Sequence, residues 1–85
     1  MEYDNLISYI VGAKNRLMIL FLLKDQGLTA REISNITTID YRHVWLKLQE
    51  LKNKGLVTHN DVKKNRIYRL TPLGDEILLK VEQRD

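Results

Sequence analysis

Cysteine is absent from the 85 residues, so disulfide staples, thiolate metal sites and cysteine nucleophiles are excluded by composition. Glycine occurs four times and proline once, with no Gly-rich phosphate loop among them. Long apolar runs are missing too: the longest, 17–23, has seven residues, against about 20 to cross a bilayer, and no secretory leader pattern is present. The expectation is a soluble, intracellular protein of the cytoplasm (host cytoplasm for a viral source), with no membrane partner. There is no repeat, linker or low-complexity stretch. With 44% apolar and 29% charged residues, the chain has enough for one small core and too little for a second, so residues 1–85 are expected to form a single domain.

Negative charge is scarce in one place. Between 41 and 70 there are eight basic residues against two acidic ones, a balance of +6, whereas the rest of the chain holds six basic and nine acidic residues. A localised positive face on a mildly negative remainder suggests a polyanionic partner.

Hydrophobic spacing divides the chain into elements. Leu6, Ile7, Ile10 and Val11 recur at helical spacing after a capping Asp4, and Gly12 interrupts them. Leu17, Leu20, Phe21 and Leu23 predict a second helix over about 13–26, stopped by Gly27 in a left-handed conformation. Thr29-Ala30-Arg31-Glu32 reads as a capping box opening a short helix with Ile33 and Ile36 inward. The β-branched residues of Thr37-Thr38-Ile39 end it, and Asp40 caps the next.

In that helix Tyr41, Val44, Leu48 and Leu51 form the apolar stripe with Trp45 flanking it, and the other side presents Arg42, His43, Leu46, Lys47 and Glu50 until Gly55 stops the helix after Lys54. Residues 56–59 and 67–70 are β-prone, and the polar stretch 60–66 between them suits a hairpin loop. Thr71-Pro72 starts a last helix with Leu73, Ile77, Leu78 and Val81 inward.

This order resembles winged helix-turn-helix DNA-binding regulators of the ArsR-like and MarR-like superfamily. The resemblance is strongest over 28–57, where Leu28-Thr29, Ile33, Ile39, Asp40, Val44, Leu48, Leu51 and Gly55-Leu56-Val57 fall at the family spacing, and again in Arg69-Leu70-Thr71-Pro72-Leu73-Gly74. It implies an α+β, mainly α fold: a three-helix core, a β-hairpin wing and a C-terminal helix. The helix-turn-helix would span about 29–54, the wing about 56–70 and the last helix about 72–83. Two departures stand out. Thr38 occupies a turn position where these families often have glycine, and Ser34 replaces the usual alanine at the helix crossing. The metal sensing of the ArsR-like branch needs cysteines and is not implied.

The physical case for double-stranded DNA needs no family name. A helix that buries one face and offers the other to base edges has the two-sided composition of 40–54. Arg42 can pair bidentately with guanine, His43 can donate or accept at base edges, and Leu46 can meet a thymine methyl, with Lys47 beside them. Lys63, Lys64, Asn65 and Arg66 would reach phosphates or the minor groove, and Thr38 another phosphate at the helix start. The Tyr41 ring can pack while its hydroxyl touches a phosphate. Trp45 and Tyr68 read as packing residues. With about six phosphates neutralised, the log–log salt slope of binding is expected near −5.

Catalysis is not expected. No His-x-x-x-His pair or nucleophile–base arrangement exists, and His43 and His59 are too few for a metal site, so no cofactor, metal or small-molecule ligand is foreseen. Surplus apolar residues on the first and last helices, namely Leu6, Ile7, Ile10, Ile77, Leu78 and Val81 with Val11 and Leu79, suggest a homodimer interface. The chain thus reads as a sequence-specific, dimeric transcription regulator. The alternative is a winged helix serving as a protein–protein interaction module in a transcription or chromatin assembly.

Overall fold

Three helices of this chain begin where a side chain satisfies free backbone amides in the computed structural model, which describes residues 3–83. The first two begin at Tyr3 and Ala13 without a side-chain cap, and Asp4 lies inside the first helix and does not cap it. Thr29 Oγ1 accepts from the Glu32 amide at 3.1 Å while Glu32 Oε1 accepts from the Thr29 amide at 2.9 Å, the reciprocal capping box. Asp40 Oδ2 accepts from the Arg42 amide at 3.1 Å. Thr71 Oγ1 accepts from the Gly74 amide at 3.0 Å and donates to the Gly55 carbonyl at 2.6 Å, so one hydroxyl joins the start of the last helix to the end of an earlier one.

The elements run α1 (Asp4–Val11), α2 (Lys14–Leu22), α3 (Ala30–Thr37), α4 (Tyr41–Asn53), β1 (Val57–Val62), β2 (Asn65–Leu70) and α5 (Pro72–Glu82). Five helices with one antiparallel hairpin are the winged helix-turn-helix arrangement implied by the resemblance.

The turn between α3 and α4 is tightly held. Thr38 adopts φ +61°, so the position where glycine is usual is left-handed here in a β-branched residue. Ser34 explains its own departure: its hydroxyl donates to the Ile39 carbonyl at 2.6 Å. Thr37 Oγ1 donates to the Ile33 carbonyl at 2.7 Å and accepts from the Ile39 amide at 3.2 Å. These bonds over-determine the turn and hold Thr38 in a conformation that disfavours L-residues by about 1–2 kcal/mol. Thr38→Gly is therefore expected to raise stability by about 1 kcal/mol, seen as a melting temperature higher by roughly 4–8 °C. A lower melting temperature would show that the turn is not strained.

The core gathers Ile19, Leu20 and Leu23 of α2 and the adjoining loop, Ile33 of α3, Val44, Leu48 and Leu51 of α4, and Leu56, Val57 and Tyr68 of the wing base. Ile10 of α1 and Ile77 and Leu78 of α5 close it and are fully buried, so these three cannot present themselves to a second copy as the sequence suggested.

Several other expectations are corrected. Ile36 is 55% exposed, because the inward stripe of α3 passes through Ala30, Ile33, Ser34 and Thr37 at i, i+3, i+4, i+7 and leaves Ile36 to one side. Tyr41 and Trp45 also face outward: the stripe of α4 begins at Val44, and Trp45 lies about 100° around the helix from it. Phe21 is exposed, and α2 ends at Leu22 instead of Gln26.

Gly27 does not take a left-handed φ. Its lack of a side chain serves close packing instead, since a Cβ there would lie 2.6 Å from Ile67 Cγ2 and 2.7 Å from Arg69 Cζ. That space lets Leu28 bridge Tyr68 of β2 through backbone bonds of 3.1 and 2.8 Å, which docks the wing against the start of the helix-turn-helix.

The wing is longer and its turn tighter than the sequence suggested. Strand pairing continues to Val62↔Asn65, so the connection is two residues, Lys63 and Lys64, in place of the loop 60–66. Both have positive φ, +48° and +72°, the pattern of a primed hairpin turn that matches strand twist. Asp61 and Arg66 sit directly opposite and pair at 3.1 Å.

Candidate nucleic-acid interface

The outward side of α4 follows from its burial stripe. With Val44, Leu48 and Leu51 inward, helical periodicity turns Arg42, Leu46 and Gln49 the opposite way, flanked by Trp45. Arg42 is exposed and has no ion-pair partner among the described residues, and Leu46 is also exposed. His43 is exposed on one flank, its Nδ1 3.9 Å from Asp40. Gln49 donates to the Tyr68 hydroxyl at 3.3 Å, which ties the middle of α4 to the wing.

Lys47 behaves differently from the expectation. Its ammonium lies 3.6 Å from Glu50 Oε2, and its side chain is only 25% exposed. Glu50 in turn accepts from the Tyr9 hydroxyl at 3.0 Å and from Arg16 Nη2 at 3.3 Å. These contacts, the Tyr9 bond foremost, hold the Glu50 carboxyl below its usual range, and burial together with Glu50 raises the Tyr9 phenol.

On the other flank the wing closes a cleft of about 470 Å³ against α4 and the start of α3. Arg31, Tyr41, Trp45, Lys64, Asn65 and Arg66 line it, with Asp61 among them. The Arg31 guanidinium stands 5.4 Å over the Tyr41 ring. Arg66 is held by Asp61, whose carboxyl its hydrogen bond lowers. Lys63 and Lys64 have no ion-pair partner among the described residues.

His59 packs edge-on against Tyr68 at 5.5 Å and meets Lys52 Nζ at 2.9 Å, so it braces the wing base against α4. Its imidazole is pushed toward neutrality by burial first and then by Lys52 and Arg66. Among the described residues no group of three or more His, Cys, Asp or Glu side chains is arranged for a metal ion, and no helix is long and apolar enough to cross a membrane.

The structure therefore brings Tyr41, Lys64, Asn65 and Arg66 around one cleft and sets Arg42, His43 and Leu46 on the adjoining helix face. Lys47 is turned aside, and Thr38 sits exposed in the tight turn before α4. Sequence reasoning missed Arg31, Trp45 and the Tyr9–Arg16–Glu50 cluster. A signal for Arg31 existed, because a cation in the first turn of a helix opposes the helix dipole and breaks a local rule without local benefit. No sequence signal marked Tyr9 and Arg16, whose meeting with Glu50 is a tertiary event.

A two-sided α4 after a capped α3, followed by a basic hairpin, defines a winged helix-turn-helix DNA-binding transcription regulator. The chain belongs to the sugar-specific transcriptional regulator TrmB family, whose description matches residues 19–73, from α2 into the first turn of α5. Among solved structures it is similar to one described as a predicted DNA-binding transcriptional regulator from E. coli, at 19% identity and TM-score 0.80, covering 96% of this chain and 88% of that one. The homodimeric winged helix-turn-helix DNA-binding domain Mb0332 from Mycobacterium bovis shares 25% identity at TM-score 0.77, with 91% and 71% covered. The adhesin competence repressor AdcR from Streptococcus pyogenes shares 20% identity at TM-score 0.77, with 96% and 69% covered. No curated protein matches the chain.

Proposed function

We propose that this chain is a non-catalytic regulator that reads a specific duplex sequence, with α4 in the major groove and the wing on the backbone or adjacent minor groove. The observation that carries this reading is the unpartnered Arg42 beside Leu46 on the outward face of α4. Arginine in that setting pairs bidentately with guanine, and leucine meets a thymine methyl. Thr38 and the amides at the start of α4 supply a phosphate contact, as does Arg31 across the cleft from Lys64.

Arg42→Ala tests the proposal against a duplex selected from random sequences. Affinity is expected to fall by about 1–3 kcal/mol, with specificity relaxed at one base pair. Unchanged affinity would favour the other reading, in which Trp45 and Leu46, 42% and 45% exposed, take a protein partner.

The active form we propose is a homodimer, with cytoplasmic operation following from its role. Exposed Val11 and Leu79, at 42% and 54%, with part-buried Leu6, Ile7 and Val81 beside them, supply its apolar contact. The homodimeric M. bovis domain supports this arrangement. Two-fold symmetry then places half-sites about 34 Å apart.

A further inference from the structure

Glu50 is the one carboxylate within α4, a helix whose neighbours are suited to phosphates. An anion there repels DNA, yet it is restrained from two sides. Its Oε1 accepts from the Tyr9 hydroxyl of α1 at 3.0 Å and from Arg16 Nη2 of α2 at 3.3 Å. Its Oε2 faces the Lys47 ammonium at 3.6 Å. Arg16 is itself fixed, since Nη1 donates to the Tyr9 carbonyl at 2.9 Å and the guanidinium lies 3.8 Å over the Tyr9 ring. The Arg16 side chain is 21% exposed, so this is a half-buried assembly joining three helices.

We infer that Glu50 is a positioning residue that withholds Lys47 from DNA, and that Tyr9 and Arg16 anchor it so that α1 and α2 set how far Lys47 can reach. The inference rests on α4 being the DNA-facing helix. Two freely exposed partners part at little cost, because both can find other contacts. Here the carboxylate is fixed through its other oxygen. Lys47 must leave alone, and its departure strips one counter-charge from an anion beside the phosphates. The number of phosphates neutralised per protomer is thereby one fewer than the basic residues of the face would provide.

The test measures duplex affinity over a salt series for wild type, Glu50→Gln, Lys47→Ala and the double variant. Glutamine keeps an acceptor for the Tyr9 hydroxyl and removes the charge. Glu50→Gln is expected to bind about three- to tenfold more tightly at low salt, with a log–log slope steeper by about 0.9, the value for one added phosphate. Adding Lys47→Ala to Glu50→Gln abolishes that steepening. Tyr9→Phe, which keeps both charges and the ring beneath Arg16 but loosens the anchor, moves the slope part of the way in the same direction and serves if Glu50→Gln fails to fold.

A wild-type slope in Glu50→Gln and Tyr9→Phe alike overturns the inference, as does a Glu50→Gln gain that survives intact without Lys47. If wild type binds no duplex at any salt concentration, the reading of α4 itself falls. Duplex binding with an unmoved slope defeats the withheld lysine alone.

Discussion

Raising the salt concentration from 50 to 200 mM is expected to weaken duplex binding by roughly 500-fold per protomer, because about five cations displace condensed counterions at a slope near −0.9 each. The five are Arg31 and Arg66 at the cleft, Arg42 on α4, and Lys63 and Lys64 at the wing tip. Lys47 would be a sixth, but its pair with Glu50 keeps it back. That changes the expected slope from near −5 to about −4.5. Asp61 works against the effect by holding Arg66, although an exposed pair opens readily near a stronger anion.

A dimer engaging two half-sites doubles the slope, so the same titration reports stoichiometry. A titration at several salt concentrations on one duplex suffices. A flat response would mean that the basic face does not meet phosphates, whatever the fold.

The parts of this fold that were legible in the sequence are those governed by neighbours along the chain. The Thr29–Glu32 box, the Asp40 cap and the Thr71-Pro72 start are local chemistry, and each appears as a hydrogen bond of about the ordinary length. The stripe of Val44, Leu48 and Leu51 was equally plain, because three buried positions at i, i+4, i+7 fix the phase of a helix of 13 residues.

Phase was harder to read where a helix is short. With eight residues in α3, Ile36 satisfied the i+3 rule from Ile33, yet only the position of α2 and α4 decides which side of Ile33 is covered. Trp45 was misplaced for a related reason: it flanks the apolar stripe of α4, which argued for packing, while the wing stands across an open cleft of which Trp45 is one wall.

Tertiary pairing also decided the wing and Gly27. Residues 60–66 are polar and turn-prone, so propensity favours a loop, but the register begun at Val57↔Leu70 continues outward with solvent on both faces. Strand pairing supplies the backbone bonds there, which no count of apolar residues reveals. Gly27 has the sequence position of a helix stop, whereas its role is to admit β2. The site was partly legible for the same reason. Arg42 and the wing cations are exposed by default, but the fate of Lys47 depends on Tyr9 and Arg16, which lie more than 30 residues away.

The wing tip should separate stability from binding in one double variant. Lys63 and Lys64 form a two-residue turn with φ of +48° and +72°, a geometry that favours Asn-Gly and disfavours lysine by about 1–2 kcal/mol per residue. Lys63→Asn with Lys64→Gly is expected to raise stability by about 1–2 kcal/mol, since the pairing of β1 with β2 is kept and the turn becomes relaxed. With both lysines on phosphates, as proposed, the same change is expected to make the salt slope shallower by about 1.8 and to lower affinity about 60-fold at 0.1 M salt.

The two effects have opposite signs, and thermal melting and duplex titration measure them independently. If affinity holds, the wing is a solubilising hairpin and not a contact. If the melting temperature falls, the lysines are not strained. Strain retained at a turn that better residues would relax is what a functional constraint predicts, and on the proposed reading that constraint is charge: neither asparagine nor glycine in the favoured turn carries a cation to the backbone of DNA.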